Sequence, residues 1–155
     1  MTIQTRLIQP DDLPQLHQMI CALATHHGDT PDINPNRLKE DVLGPCPWYT
    51  VIVAQDADVT LLGYAALQAR GQLQYGARGM DMHHLFVRKS ARGMGIGAAL
   101  VAAAQAHCRE NRCAFLTVGT HPDNVYAARF YERRGFTRRD GASPRLFVRL
   151  DQPPT

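Results

Sequence analysis

The sequence has little that would mark a membrane, secreted or metal-binding protein. No stretch of its 155 residues approaches the roughly 20 consecutive apolar residues that cross a bilayer. Residues 1–7 contain neither an apolar run nor a small-residue cleavage site. The four cysteines show no CxxC spacing, and His107 beside Cys108 does not complete a zinc site. We therefore expect a cytoplasmic protein with reduced thiols, no metal and no membrane partner.

The sequence also has only a small excess of positive charge. The formal net charge is +3, and charged and apolar residues make up 20% and 45% of the sequence, as in ordinary globular proteins. We predict one domain over residues 1–155, since a single core serves roughly 100 to 200 residues. Five arginines late in the chain indicate either a nucleic-acid or phosphate surface or a solvated helix face: Arg129, Arg133, Arg134, Arg138 and Arg139. We favour the solvated face and expect no nucleic-acid partner.

The first part of the chain predicts a strand, a helix and a turn-rich segment. Alternation of apolar and polar residues over 3–7 indicates the strand. Asp11 has the position of a helix N-cap, and an apolar stripe at spacings of three and four predicts a helix that runs to about His26 and ends at Gly28. Residues 29–47 are rich in turn signals, include a short helix around 38–42, and are expected to border the substrate entrance.

Short β-branched and apolar runs predict a meander next. Residues 49–55 and 60–69 read as strands joined in a hairpin by the turn at 56–58. A second turn at 71–79 leads into a strand over 80–87.

Strands and helices then alternate: an Ala-rich helix over 97–110, a strand over 114–118, a helix over 125–134 and a closing strand over 145–150. The whole order predicts a mixed sheet with helices on its faces.

A glycine-rich segment opens the Ala-rich helix. It reads Arg92-Gly93-Met94-Gly95-Ile96-Gly97-Ala98. Backbone N–H groups at a helix N-terminus lack intrahelical partners, and the helix dipole adds positive potential, so the main chain there can hold a pyrophosphate. Glycines allow the backbone to approach the phosphate oxygens because they carry no Cβ.

Two other interpretations of this segment exist, a Rossmann fingerprint and a glycine turn without a ligand. Gly93, Gly95 and Ala98 do satisfy G-x-G-x-x-G/A. A Rossmann fingerprint normally begins its domain and has an acidic residue roughly 20 positions later, where this chain has Val118 and Gly119. The context therefore disfavours a Rossmann domain.

Two motifs in order resemble a known superfamily. Arg92-x-x-Gly95-x-Gly97 matches the Q/R-x-x-G-x-G/A signature of GNAT N-acetyltransferases, and about 30 residues later their N-x-x-A-x-x-F-Y-x-x-x-G-F run is matched by Asn124, Ala127, Phe130, Tyr131, Gly135 and Phe136. The resemblance spans nearly the whole chain. It is closest in pattern to the diamine (spermidine/spermine) and thialysine group, which has similar residues at Glu40-Asp41, Trp48-Tyr49, Gly63-Tyr64, Leu85-Phe86-Val87, Arg133-Arg134-Gly135 and Arg145-Leu146-Phe147.

This resemblance implies an α+β fold in α/β/α layers, whose mixed, mostly antiparallel sheet has about six to seven strands flanked by about four helices. It implies acetyl-CoA as co-substrate. The backbone of Leu85, Phe86 and Val87 would pair with the pantetheine arm, and one of these amides would polarise the thioester carbonyl. The pyrophosphate would be held by Arg92, Gly93, Met94, Gly95, Ile96, Gly97 and Ala98. Asn124 would bind the cofactor or ordered water, a role compatible with a plain N-cap.

The resemblance also implies that Tyr131 lies near the sulfur of CoA. A phenol with an ordinary pKa near 10 is protonated at neutral pH and can donate to the departing thiolate. Without the motif, a helical tyrosine beside Phe130 would be read as a core residue.

The acceptor amine needs to lose a proton before it attacks. An alkyl ammonium with a pKa of about 10.4 is neutral at pH 7 only about once in 2,500 molecules, a cost of about 4.6 kcal/mol. His83 and His84 stand where the diamine-acetylating relatives have two acidic residues, and Asp81 stands where other GNAT branches carry a glutamate base. We rank them His83, His84, Asp81, since histidine suits proton removal at neutral pH. In a regular strand the two imidazoles would point to opposite faces. Each could instead be a hydrogen-bonded sheet residue.

The predicted function is transfer of acetyl from acetyl-CoA to a primary amine of a small molecule, by direct attack in a ternary complex and in a homodimer. Diamines, amino acid side chains and amino sugars are candidate acceptors. Two histidines in place of two acids, and Leu73 near another acidic position of the relatives, disfavour a polyamine. A binding module without turnover and a protein lysine or N-terminal acetyltransferase are the alternatives.

Overall fold

A mixed sheet of five strands forms the centre of the fold. The computed structural model describes residues 2–121, 123–139, 146 and 148–151. Its strands are β1 (Gln4–Leu7), β2 (Thr50–Gln55), β3 (Leu61–Gln72), β4 (Ala77–Val87) and β5 (Phe115–Val118). Their spatial order follows the chain, with antiparallel pairing from β1 to β4 and parallel pairing of β4 with β5. The predicted mixed, mostly antiparallel sheet is confirmed.

Helices cover both faces of this sheet. They are α1 (Leu13–His26), α2 (Pro35–Leu43), α3 (Ile96–Glu110) and α4 (Val125–Glu132). Leu16 and Met19 of α1 and Val42 of α2 pack with Tyr64 in one buried cluster. A second cluster on the opposite face contains Leu100 of α3 and borders α4. The layered α+β architecture with four helices is therefore confirmed. None of the helices in the described residues is long and apolar enough for a membrane span.

The strand count is lower than the predicted six to seven. Of the strand expected over 145–150, residues 145 and 147 lie outside the described residues. Leu146, Val148 and Leu150 are in no strand and are 97%, 74% and 87% exposed. Apolar alternation predicts a strand because one face is usually buried. These side chains are largely exposed in the structure. Within the described residues the sheet ends at β5.

The start of α1 also differs from the expectation. A 3-10 turn, Pro10–Asp12, precedes the helix, so the N-cap is Asp12 and not Asp11. The buried Asp12 carboxylate accepts hydrogen bonds from Arg6 Nη1 and Nη2 at 2.6 and 2.9 Å, and from the Gln9 amide at 2.7 Å. This cluster ties β1 to α1, and Gly28 ends α1 as predicted, with a left-handed φ of 79°.

Replacing Asp12 with Asn is expected to lower the free energy of unfolding by about 3 kcal/mol, because it leaves the Arg6 guanidinium without its buried partner. Hydrogen bonding to Arg6 lowers the pKa of Asp12. A carboxyl with a lowered folded-state pKa stabilises above its unfolded pKa of about 3.9 and loses that contribution as the pH falls through the folded value. Urea unfolding at neutral pH and below pH 4 checks this. If Asp12→Asn lowers the free energy of unfolding by the same amount below pH 4 as at neutral pH, the prediction is contradicted.

The first hairpin turn is as predicted, and the second is shorter than predicted. The turn at 56–58 is confirmed, and the Asp56 carboxylate accepts from the amides of Asp58 and Thr60, both at 2.9 Å. The second turn is confined to a 3-10 turn, Leu73–Tyr75, and Gly76, whereas Gly71 and Gly79 are paired residues within β3 and β4. A Cβ at Gly79 would stand 2.3 Å from the Phe115 ring, so glycine there permits close packing of β5 and does not mark a turn.

Candidate active site

The glycine loop, residues 92–95, joins β4 to α3. A 3-10 turn, Lys89–Ala91, precedes it, and α3 begins at Ile96. Gly93 and Gly95 both have a φ of 80°, a left-handed conformation that glycine adopts without steric cost. No heavy atom lies within 4 Å of the place of a Cβ at either residue. The glycines are therefore required by backbone conformation, and the loop is open to solvent.

A run of backbone N–H donors in this segment has no backbone acceptor. Within the described residues, the amides of residues 93–98 donate to no backbone carbonyl, and the first helical bond joins the Ala99 amide to the Gly95 carbonyl at 3.1 Å. The 15-residue α3 adds the positive end of its dipole at the same place. Consecutive unsatisfied N–H groups at a helix N-terminus are suited to bind an oxyanion such as a phosphate.

Side chains of this segment anchor the loop. Ile96 is buried in the core under α3. Gly97 lies against Phe130 of α4, whose ring is 3.3 Å from the place of a Cβ, so a larger residue would push α4 away. Arg92 is exposed and donates from Nε to the Val87 carbonyl at 3.1 Å, while Met94 points to solvent. The predicted pyrophosphate residues thus lie in one consecutive segment, in which Arg92 and Met94 are exposed and Ile96 is buried.

A gap opens between β4 and β5 directly before this loop. Their parallel pairing runs from Gly79↔Phe115 to Met82↔Val118 and then stops. Residues 84–87 pair only with β3 in the described chain. Leu85 and Val87 pack toward α3, and the Phe86 ring lies in the opposite core, 6.0 Å from that of Tyr64. The backbone edge of β4 toward the gap is therefore available to pair with an extended ligand.

A β-bulge at His83 changes the expected direction of its side chain. Ala66 pairs with His84 and the next residue, Leu67, pairs with Met82, so His83 is an extra residue in β4. The imidazoles of His83 and His84 stack at 4.2 Å and 15°, and Tyr49 stacks on His83 at 5.6 Å. The expectation that the two rings point to opposite faces was wrong. Strict alternation applies only to a regular strand.

His84 is the less exposed member of this pair and is half-buried. Its Nδ1 is 2.9 Å from the Tyr64 hydroxyl. Burial, with the nearby His83 and His27, lowers the pKa of His84 to about 4, and burial raises the pKa of Tyr64. His84 is thus neutral near pH 7 and is a weak base. His83, in contrast, is exposed on the same face of the sheet.

Asp81 lies on this face too, beside β5. Its carboxylate accepts a hydrogen bond from Thr117 Oγ1 at 2.6 Å and is 4.0 Å from Arg70 Nη1. The contacts of Arg70 and Thr117 with Asp81 are not evident from the sequence. Strand pairing creates them, because Asp81 pairs with Gln68 of β3, two residues from Arg70, and with Thr117 of β5. No pattern in adjacent residues marks such pairs.

Tyr131 lies on the opposite face of the sheet, beside α3. Its ring makes edge contacts with Phe130 at 5.2 Å and Phe136 at 5.4 Å, beside the core under α3. Burial raises its pKa to about 12, so the phenol stays protonated. It also lines a groove of about 850 Å³ between α3, β5 and α4. Asn124 caps α4, and its Oδ1 accepts from the Ala127 amide at 3.0 Å, as predicted for an N-cap.

These residues lie on two faces of the sheet. The glycine loop and Tyr131 lie on the α3 face, and Asp81, His83 and His84 lie on the α1 and α2 face. Chemically, the loop can bind an anionic ligand, and the second group can accept a proton. No group of three or more metal-ligating side chains occurs in the described part of the chain.

Comparisons with known proteins agree with this architecture. A family model described as the acetyltransferase (GNAT) family matches residues 15–136. No curated protein matches the sequence. A crystal structure of a transcriptional regulator from Bacillus halodurans C-125 is similar, with a TM-score of 0.78, 22% identity and coverage of 94% of this chain and 100% of that chain. An aminoglycoside acetyltransferase from an uncultured soil metagenomic sample, in complex with sisomicin, has a TM-score of 0.78, 17% identity and coverage of 96% and 97%.

Glucosamine-6-phosphate N-acetyltransferase from Arabidopsis thaliana is similar as well, with a TM-score of 0.73, 14% identity and coverage of 96% of this chain and 100% of that chain. At such identities the structural similarities establish the fold alone. The family model, in contrast, covers most of the sequence, from residue 15 within α1 to the end of the second motif at Phe136. On that match, the chain belongs to the GNAT acetyltransferase family.

Proposed function

We propose that the protein transfers the acetyl group of acetyl-CoA to a primary amine of a small molecule. The single observation that carries this proposal is the run of unsatisfied amides at residues 93–98, placed at the end of a strand whose edge is open. The amides bind the pyrophosphate, together with Arg92, and the backbone of Leu85, Phe86 and Val87 pairs with the pantetheine arm. One of these strand amides donates to the thioester carbonyl, and Asn124 binds the cofactor or its ordered water.

In the reaction, the amine nitrogen bonds to the acetyl carbon, the carbon–sulfur bond breaks, and its electron pair leaves with sulfur. The acceptor ammonium gives up one proton before attack and a second after it, and the sulfur takes up one, so one proton is released overall. Tyr131 donates a hydrogen bond to the departing sulfur. Its pKa of about 12 favours donation of a hydrogen bond over complete transfer of the proton.

His83 is our choice of base, directly or through water. It is exposed on the α1 and α2 face, whereas burial holds the pKa of His84 at about 4. His84 then positions His83 through the ring stack, and its own ring is held by Tyr64. Asp81 ranks third, because its carboxylate already binds Thr117 and lies beside Arg70.

A thiol-release assay with a panel of amines tests the proposal. Wild-type protein is expected to release CoA with at least one small amine, and Tyr131→Phe to lower kcat by about 100-fold, the lower range for loss of one hydrogen-bond donor to developing negative charge. Tyr126→Phe is the control, since Tyr126 is on the same helix and 86% exposed. Equal rates in the two variants would contradict the role of Tyr131.

The same panel separates the alternatives. If acetyl-CoA raises the melting temperature and no amine or peptide releases thiol, the protein is a binding module without turnover. If lysine peptides or free N-termini outperform small amines, it is a protein acetyltransferase. The kinship with the diamine and thialysine group stays a prediction from shared residues.

We further propose one domain over residues 1–155, a homodimer and a cytoplasmic location. Pairing of β1 with β2 supports the single domain, because it joins residues outside the family match to its sheet. Exposed Leu146, Val148 and Leu150 support self-association, since water-exposed apolar clusters favour burial against a partner. Light scattering that gives twice the chain mass would support the dimer. Four free cysteines are consistent with a reducing compartment.

A further inference from the structure

A small cavity lies on the α1 and α2 face of the sheet. Its volume is about 350 Å³, and its lining consists of Pro47, Trp48, Gln68, Ala69, Arg70 and Asp81. Asp81 precedes His83 by two residues on β4, and both side chains lie on the same face of the sheet. A molecule in this cavity would therefore lie on the same face as the imidazole to which we assign proton removal, and one of its lining residues is two positions from that imidazole in β4.

The cavity presents both charge signs. Thr117 holds the Asp81 carboxylate through a 2.6 Å hydrogen bond, and this side chain is 29% exposed. The Arg70 guanidinium is 45% exposed and lies 4.0 Å from Asp81, well beyond the 2.7–2.9 Å of a charge-assisted hydrogen bond. Arg70 thus has N–H donors that the contact with Asp81 does not use, in a geometry that matches a carboxylate.

Trp48 forms an apolar wall of the same cavity. Its side chain is 72% exposed although it is the largest apolar residue type, and it lies in the segment that joins α2 to β2. Exposed tryptophans supply contact area for the carbon skeleton of a ligand. The cavity therefore combines an anion-binding cation, a cation-binding carboxylate and an apolar surface.

We infer that this cavity binds an acceptor amine that also carries a carboxylate, as an amino acid does. This inference rests on the proposed acetyltransferase function. Arg70 binds the carboxylate, Trp48 contacts the carbon skeleton, and the ammonium group lies past Asp81 toward His83. A polyamine has no group for Arg70 and is repelled by it, so the pair of opposite charges selects zwitterions over polycations.

Matched substrates test the inference. Glycine, β-alanine, γ-aminobutyrate and L-lysine are each compared with the corresponding carboxamide, which keeps the amine and removes the negative charge. The wild type is expected to show kcat/KM at least tenfold higher for the carboxylate of the best pair, the range for a hydrogen bond to a charged group. In Arg70→Gln this ratio falls to about one, with the change mainly in KM, and Arg70→Lys restores part of it.

Arg78→Gln is the matched control. Arg78 is an exposed arginine of the same hairpin, and its Nη1 contacts the Asn111 carbonyl at 3.5 Å, outside the cavity. This variant should keep the wild-type ratio. Equal kcat/KM for acids and amides in the wild type, or an equal loss for both in Arg70→Gln, would overturn the inference.

Calorimetry on the CoA-bound protein separates this inference from the function on which it rests. Binding of L-lysine that exceeds binding of lysinamide, and that loses this preference in Arg70→Gln, supports the cavity assignment even without turnover. Thiol release without any such preference supports the enzymatic proposal and removes the cavity assignment. If the protein shows neither a binding preference nor a rate preference for the carboxylate, the inference is overturned.

Discussion

Gly95→Val is expected to weaken acetyl-CoA binding by about 100-fold, equivalent to about 2.7 kcal/mol. Gly95 has a φ of 80°, which a β-branched residue adopts only with strain. The loop would relax toward negative φ and turn its N–H groups away from a common point. Loss of two hydrogen bonds to a charged phosphate is sufficient for this effect, at about 1.5 to 3 kcal/mol each. Isothermal titration calorimetry with acetyl-CoA measures the change.

Gly28→Val provides a matched control for backbone strain. Gly28 has a φ of 79° and, like Gly95, no heavy atom within 4 Å of the place of a Cβ. Both variants should therefore lose similar thermal stability, but only Gly95→Val should lose affinity, because Gly28 ends α1 far along the chain from the glycine loop. Equal acetyl-CoA affinity in the two variants would remove the phosphate role from the loop.

His83→Gln is expected to lower kcat/KM at neutral pH by about 100-fold to 1,000-fold, within the range of general base catalysis. Glutamine preserves a polar side chain that can contact Tyr49 but cannot accept the ammonium proton. The loss should become smaller as the pH rises toward the amine's ordinary pKa of about 10.4, because the free amine then attacks without a base. A pH profile of kcat/KM with the best acceptor amine measures both effects.

His84→Gln distinguishes proton transfer from positioning. Because burial holds the pKa of His84 at about 4, this residue gains no proton across the neutral range. Its replacement should lower the rate less than His83→Gln does, and by the same factor across the neutral range. A normal rate in His83→Gln, combined with a large loss in Asp81→Asn, would move the base to Asp81.

The elements that sequence analysis predicted well depend on local spacing. The α1 helix follows a stripe at spacings of three and four that packs Leu16 and Leu23 into the core. The turn at Asp56 uses a carboxylate that binds amides two and four residues later. The glycine loop and the start of α3 are likewise contained in the seven consecutive residues 92–98. In each case the partners are close along the chain, so the pattern and the structure coincide.

The predictions that failed concern relations across the sheet. Alternation at 145–150 indicates a strand only if another strand and a core accept it, and the exposed Leu146, Val148 and Leu150 have neither in the structure. The direction of His83 depends on a bulge that appears only in the pairing of β3 with β4. Such pairings are set by the packing of whole strands and leave no signal in the adjacent residues.

The sequence by itself determined the loop that we assign to acetyl-CoA, because the glycines with a left-handed φ and the helix start with unpaired amides are consecutive in the chain. Tertiary structure decided the end assigned to the amine. The bulge stacks His83 on His84, and the register of three strands brings Arg70 and Thr117 to Asp81. Charge and proton chemistry depend on distances between side chains that are 11 to 36 positions apart, and only the folded sheet defines those distances.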